Sequence, residues 1–260
     1  MSETVLCDDH GTWVEVTLNR PDKLNSFNDE MHVALRDVLE AAIGEKRAIL
    51  ITGAGRGFCA GQDLGDRDPA KMQGPPDLGV TLATRYNPLV RLIRTAELPV
   101  ICAVNGVAAG AGANLALACD IVLAADTAQF IQSFARVGLI PDCGGTWSLT
   151  HLLGPARARA LAMTGAPLAA PEAADWGLIW ASLPAAELMP EARTLAAELS
   201  VAPTVALAQT KKAIDAAATN TLDAQLEIEA RVQKTCGETA DYAEGVAAFL
   251  AKRAPVFEGR

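Results

Sequence analysis

Three glycine-bearing segments carry the residues whose types and spacing could do chemistry. The first is Gly53-Ala54-Gly55-Arg56-Gly57-Phe58-Cys59-Ala60-Gly61-Gln62-Asp63. Its glycines permit tight turns and close approach of a ligand to the backbone. Their spacing is neither Gly-x-Gly-x-x-Gly opening a long helix nor Gly-x-x-x-x-Gly-Lys-Ser/Thr, so a dinucleotide or P-loop site scores badly. An ordinary glycine-rich turn is the competing account. The second segment, Asn105-Gly106-Val107-Ala108-Ala109-Gly110-Ala111-Gly112-Ala113-Asn114, follows a strand and opens a helix. Unpaired N–H groups at such a helix start would stabilise an oxyanion on a carbonyl. Close helix packing through Gly and Ala accounts for the composition equally well. The third is Gly138-Leu139-Ile140-Pro141-Asp142-Cys143-Gly144-Gly145. Asp142 is a lone carboxylate among apolar residues and glycines. Partial burial would raise its pKa and make it a usable base or acid. A helix cap is the alternative. The Cys143 thiol has no local histidine to activate it and reads as a small buried residue.

The elements that must position these segments follow from local pattern. Thr12–Leu18 reads as a strand ended by Asn19-Arg20-Pro21. The range 28–43 reads as a helix with Met31, Leu35, Val38 and Leu39 on one face. Ala48-Ile49-Leu50-Ile51 is the next strand. The range 66–79 is polar and rich in Pro and Gly, and is expected to be a loop in which Asp66 lies near the site. The range 81–95 is expected to be helical, then 100–104 a buried strand, 110–118 a small-residue helix and 120–124 a strand. A helix over 149–163 is expected to break near Gly154-Pro155, because proline lacks the N–H that a helix interior needs. Alternation of strand and helix predicts α/β layering. Beyond Pro167 helices are expected to dominate, over 186–199 and 203–218, around Leu222, Leu226 and Val232, and around Tyr242, Val246, Phe249 and Leu250. The expected division is an α/β core over 1–200 and a helical region over 201–260.

The chain has 260 residues, half of them hydrophobic and 20% charged, enough for a sizeable core. Its formal charge of −9 makes it a poor general binder of nucleic acid. The range 99–119 carries no formal charge, but Asn105, Asn114 and many small residues make it too weakly hydrophobic for a membrane span. No membrane association is expected. The six cysteines, Cys7, Cys59, Cys102, Cys119, Cys143 and Cys236, are widely spaced, and no basic stretch followed by an apolar run opens the chain. Reduced thiols and a cytoplasmic location are expected. His10, His32 and His151 do not cluster, so no metal site is expected.

Taken jointly and in this order, the three segments resemble the crotonase, or enoyl-CoA hydratase/isomerase, superfamily. The resemblance runs from Leu18-Asn19-Arg20-Pro21 to Phe249-Leu250-Ala251-Lys252-Arg253. Leu24–His32, Gly57–Leu64, Tyr86-Asn87-Pro88-Leu89-Val90 and Gly138–Trp147 are most similar to a subgroup of isomerases acting on a ring-epoxide phenylacetyl thioester of coenzyme A. The resemblance implies an α/β fold built as a spiral of ββα units around two sheets. It also implies a homotrimer, or a dimer of trimers, with the C-terminal helices at subunit contacts. It implies an acyl-CoA substrate and no cofactor besides, coenzyme A entering as part of the substrate.

The resemblance further implies roles for single residues. The backbone N–H groups of Ala60 and Ala111 would form an oxyanion hole for the thioester. Leu24, Ala60, Gly61, Gln62, Asp63 and Gly112 would contact the coenzyme A or acyl portion, and Asn114, Phe134 and Tyr86 would line the pocket. Hydratases of the superfamily use two glutamates where this chain has Asn114 and Phe134. Neither an amide nor a phenyl ring can exchange a proton as a carboxylate does, so hydration by that route is not expected. Asp142 matches a carboxylate of the isomerases, and is expected to take a proton from the carbon next to the thioester and return it along the conjugated system. An aryl-CoA dehalogenase using Asp142 as nucleophile, and an acyl-CoA-binding subunit without catalysis, are the alternatives.

Overall fold

The computed structural model describes residues 3–67, 74 and 76–260. Strands β1 (Val5–Asp9) and β2 (Trp13–Leu18) form an antiparallel pair. Helix α1 (Asp29–Glu45) then crosses back to β3 (Ala48–Gly53). Asn28 caps α1 by accepting the Met31 N–H, and the helix buries Met31, Leu35 and Leu39 as their spacing predicts.

From β3 onward the chain repeats one device: a strand for one sheet, a strand for the other, then a helix. β3 is followed by β4 (Gly57–Cys59), then by α2 (Leu78–Thr81), a π-helical turn at Leu82–Tyr86 and α3 (Asn87–Thr95). β5 (Val100–Val104) is followed by β6 (Val107–Ala109) and α4 (Ala111–Ala118). β7 (Ile121–Ala125) is followed by β8 (Gln129–Ile131) and α5 (Gly145–Thr164). The chain then forms β9 (Pro167–Ala169), α6 (Ala170–Asp175), β10 (Ala181–Leu183) and α7 (Ala185–Ser200).

One sheet runs β1-β2-β3-β5-β7-β10 and the other β4-β6-β8-β9. All neighbours are parallel except β1 with β2 and β8 with β9. Every residue of β3 and β5 is buried, as expected of parallel strands covered on both faces. The uncharged stretch over 99–119 becomes β5 and α4, buried throughout, and β6, in which Ala108 is buried. Among the described residues no helix is long and apolar enough to cross a membrane.

Three local expectations change. The range 66–79 is not wholly loop: a 3-10 turn spans Leu64–Arg67, and α2 begins at Leu78 with Asp77 capping it. Residues 68–73 and 75 of that range lie outside the described residues, as do any contacts of the Asp66 side chain. Helix α5 begins at Gly145, earlier than expected, and carries its break at Gly154 (φ 72°), which precedes Pro155. Strands β1 and β10, and all four strands of the second sheet, β4, β6, β8 and β9, are additions to the sequence reading. After α7 come α8 (Thr204–Ala217), α9 (Leu222–Gly237) and α10 (Ala240–Ala251), with Leu226, Tyr242, Phe249 and Leu250 exposed on the single chain.

Candidate active site

The end of β4 and the start of α4 lie edge to edge. Cys59 pairs with Ala108 in the β4–β6 ladder. Gly61 (φ 87°) follows, and a methyl group there would stand 2.8 Å from the Ala109 carbonyl oxygen and 3.2 Å from the Ala111 nitrogen. Only glycine allows that approach. Gly110 (φ 53°) turns the chain into α4 and donates its own N–H to the Ile131 carbonyl at 2.8 Å. Ala111 is the first helical residue, so its N–H has no acceptor within the helix.

The donor expected from Ala60 is already engaged. Its N–H donates to the Leu24 carbonyl at 2.9 Å, which removes it from any oxyanion hole. Two residues on, the geometry is different. Gln62 forms a parallel bridge with Phe27: the Phe27 N–H donates to the Gly61 carbonyl at 2.7 Å and the Asp63 N–H to the Phe27 carbonyl at 2.9 Å. Alternation along an extended segment turns the Gln62 N–H to the opposite side. Among the described residues it has no acceptor. The Gln62 side chain is clamped as well. Its Nε2 donates to the Phe27 carbonyl at 3.1 Å, and its Oε1 accepts from the Tyr86 hydroxyl at 2.9 Å.

The carboxylate side is built from the loop before α5. The Asp142 carbonyl accepts the Asn114 Nδ2 at 2.8 Å and the Gly145 N–H at 2.8 Å. Between them Cys143 (φ 52°) and Gly144 (φ 77°) are both left-handed, an unfavourable conformation for cysteine held by those two bonds. Asp142 does not cap α5 with its side chain; Gly144 occupies the cap. Its Oδ1 is buried and has no hydrogen-bond partner among the described residues. Burial raises the Asp142 pKa, partly offset by a hydrogen bond from the Cys143 thiol. Burial and the neighbouring carboxylate push the Cys143 thiol far up, so it stays protonated and is no nucleophile. His151 stacks on Trp147 one helical turn away.

Asn114 joins the two halves. It sits three residues after Ala111, hence on the same face of α4, and is fully buried. A methyl group on Gly145 would meet its Nδ2 at 2.2 Å. Phe134 is buried beside Gly110, its Cζ 3.7 Å from where a methyl group there would lie. Gly112 packs α4 onto β4: a methyl group there would stand 2.3 Å from the Cys59 carbonyl oxygen.

Leu24 (φ 48°) and Asn25 (φ 54°) form a left-handed turn beneath the first segment. Buried Asn25 holds it, accepting the Arg20 N–H at 2.8 Å and donating to the Ala54 and Gly57 carbonyls at 2.9 and 2.8 Å. Burial disfavours charge on Asp63, but the Arg20 guanidinium at 2.9 Å and the Gly65 N–H outweigh it and hold the pKa below the usual carboxylate range. Asp63 is therefore a structural anion. The sequence reading missed Gln132, whose Nε2 donates to Asn114 Oδ1 at 2.8 Å. No local pattern marks it: it is one amide at the end of a short strand.

The arrangement presents two backbone donors and one carboxylate of raised pKa around α4. It suits stabilising an enolate oxygen while a proton leaves the adjacent carbon. Comparison with known proteins gives the family. A sequence profile described as enoyl-CoA hydratase/isomerase matches residues 9–260. An Escherichia coli (strain K12) protein named 1,2-epoxyphenylacetyl-CoA isomerase is 51% identical over 262 residues, covering all of both chains. A Rhodobacter capsulatus protein named "Probable enoyl-CoA hydratase" is 48% identical over 94% of each chain. The crystal structure of an enoyl-CoA hydratase from Polaromonas sp. JS666 superposes with a TM-score of 0.89 at 37% identity, covering 98% of this chain and 99% of that one. With the profile spanning nearly the whole sequence and the fold shared, the chain belongs to the enoyl-CoA hydratase/isomerase family.

Proposed function

We propose that this protein isomerises 2-(1,2-epoxy-1,2-dihydrophenyl)acetyl-CoA to oxepin-CoA, and shifts the double bond of a 3-enoyl-CoA to the 2-position. The observation that carries the reading is the site's proton chemistry. Asp142 has a buried oxygen without a partner among the described residues, while Asn114 is locked between two hydrogen bonds and Phe134 has no proton to exchange. The 51% identity to an enzyme named for the epoxide isomerisation supports the same substrate class.

In this reaction the thioester oxygen sits between the N–H groups of Gln62 and Ala111. Asp142 removes a proton from the carbon next to the thioester, and the charge passes to the oxygen and along the conjugated system. Protonated Asp142 returns the proton at a distant carbon. For the epoxide, the bond shared by the three- and six-membered rings opens to a seven-membered oxygen heterocycle. The proton lost beside the thioester is regained on that ring, so substrate and product have the same composition. One carboxylate suffices because removal and return are successive. Phe134, next to the donor helix, keeps water from adding. The exposed apolar side chains of α9 and α10, Leu226, Phe249 and Leu250, support assembly into a trimer or a dimer of trimers.

The test is product analysis by mass spectrometry and ultraviolet absorbance, with both substrates and with Asp142→Asn. Isomer without added water, lost in the variant although CoA-ester binding persists, supports the reading. Undiminished turnover by the variant, or net hydration by the unaltered chain, overturns it.

A further inference from the structure

Gln132 touches neither donor N–H nor the Asp142 carboxylate, yet it closes a hydrogen-bonded chain that ends on Asp142. The chain has a direction. The Asp142 carbonyl can only accept, so Asn114 must turn its Nδ2 toward it, at 2.8 Å. Asn114 Oδ1 then faces Gln132, which must present Nε2, also at 2.8 Å. Both amides are buried, Gln132 to 3% exposure, and Gln132 Oε1 has no partner among the described residues. An unsatisfied buried acceptor costs stability. The fold tolerates that cost at the residue that orients Asn114.

The neighbouring residue acts on the other half of the site. The Ile131 carbonyl accepts the Gly110 N–H at 2.8 Å and so anchors the chain immediately before the Ala111 donor. The main chain of Ile131 and the side chain of Gln132 thus tie one strand end to the oxyanion donor and to the Asp142 turn together. Proton transfer is sensitive to such placement, since a misplacement of about 1 Å can cost about 10²-fold in rate.

We propose that Gln132 is a positioning residue: through Asn114 it holds the Asp142 turn at a set distance from the α4 donors. The proposal rests on Asp142 being the proton carrier. Gln132→Met keeps the side chain's bulk and removes the donor. With 3-enoyl-CoA as substrate, kcat falls by about 10- to 100-fold while KM stays within about two-fold, the pattern of a lost transition-state interaction. Because Gln132 acts through Asn114, Asn114→Leu/Gln132→Met is no slower than Asn114→Leu alone. Amide hydrogen exchange over residues 142–145 accelerates in Gln132→Met, with the two sheets unchanged. Native kcat and native exchange in Gln132→Met, or losses that multiply in the double variant, overturn the proposal. If Gln132→Met does not fold, Gln132→Asn, whose amide stops one methylene short of Asn114, is judged by the same kcat and exchange criteria. If the unaltered chain isomerises nothing, the functional reading fails, and exchange at 142–145 still decides whether Gln132 holds the turn.

Discussion

The Tyr86 hydroxyl donates to Gln62 Oε1 at 2.9 Å, joining the π-helical turn before α3 to the residue whose backbone N–H has no acceptor among the described residues. Tyr86 is itself wedged edge-on against Phe27 and His32. Tyr86→Phe keeps that packing and removes the bond. A single hydrogen bond is worth about 0.5–1.5 kcal/mol, so kcat/KM is expected to fall about 2- to 10-fold. Steady-state kinetics checks this, with thermal unfolding lowered by no more than the loss of one such bond.

Asp142→Asn separates chemistry from binding. Loss of a positioned acid/base typically costs about 10²–10⁴-fold, and isomerisation should fall by that order while a non-reactive acyl-CoA still binds. In the unaltered chain Asp142 must be ionised to accept a proton. Its raised pKa therefore places the acid limb of kcat/KM above the ordinary carboxylate range. A limb at or below that range contradicts the assignment.

The same shift has a consequence for stability. Burial makes the folded state bind the Asp142 proton more tightly than the unfolded state does. The group's contribution is then fully present at pH below its unfolded pKa and is lost as pH rises through the folded value. Asp142→Asn should raise Tm at neutral pH, and the gain should vanish in acid. Calorimetry across pH measures it, and a Tm lowered at neutral pH would contradict the sign.

Phe134→Ala opens the space beside Gly110 to water. In deuterated water, isomer formed by the unaltered chain should retain more of the transferred proton than isomer formed by the variant. Mass spectrometry of the product reads the difference, and equal labelling would show that the ring does not exclude solvent.

Gly112→Ala tests the packing on which both halves depend. Its methyl group would stand 2.3 Å from the Cys59 carbonyl oxygen and 2.7 Å from the Cys59 thiol, so backbone must move. Overpacking of this kind costs about 1–3 kcal/mol, readable in a denaturant titration.

Much of the architecture is legible in local pattern. Asn28 before an amphipathic run marks the start of α1, and Gly154-Pro155 marks the break in α5, because caps and helix breakers act within a turn of themselves. The buried runs of β3 and β5 are legible for the same reason. Strand β1 is not: of its residues Val5 alone is buried, and its pairing with β2 defines it. Strands β4, β6, β8, β9 and β10 are three residues each, too short to show a period.

At the site the division is sharper. The amino-acid sequence by itself places three glycine-bearing segments and a lone Asp142, and Asn114 and Phe134 at the two positions that the family resemblance matches to glutamates of hydratases. These follow from residue identity, which no packing alters. Which N–H is free is a different kind of fact. The family resemblance points to the Ala60 N–H, but that group is taken by the Leu24 carbonyl, while the bridge to Phe27 leaves the Gln62 N–H without an acceptor among the described residues; both partners lie more than thirty residues away. The orientation of Gln132 is likewise set by the acceptor-only carbonyl of Asp142, reached through a side chain from another helix. A hydrogen bond takes its direction from its partner, and the partners here are brought together by tertiary structure alone.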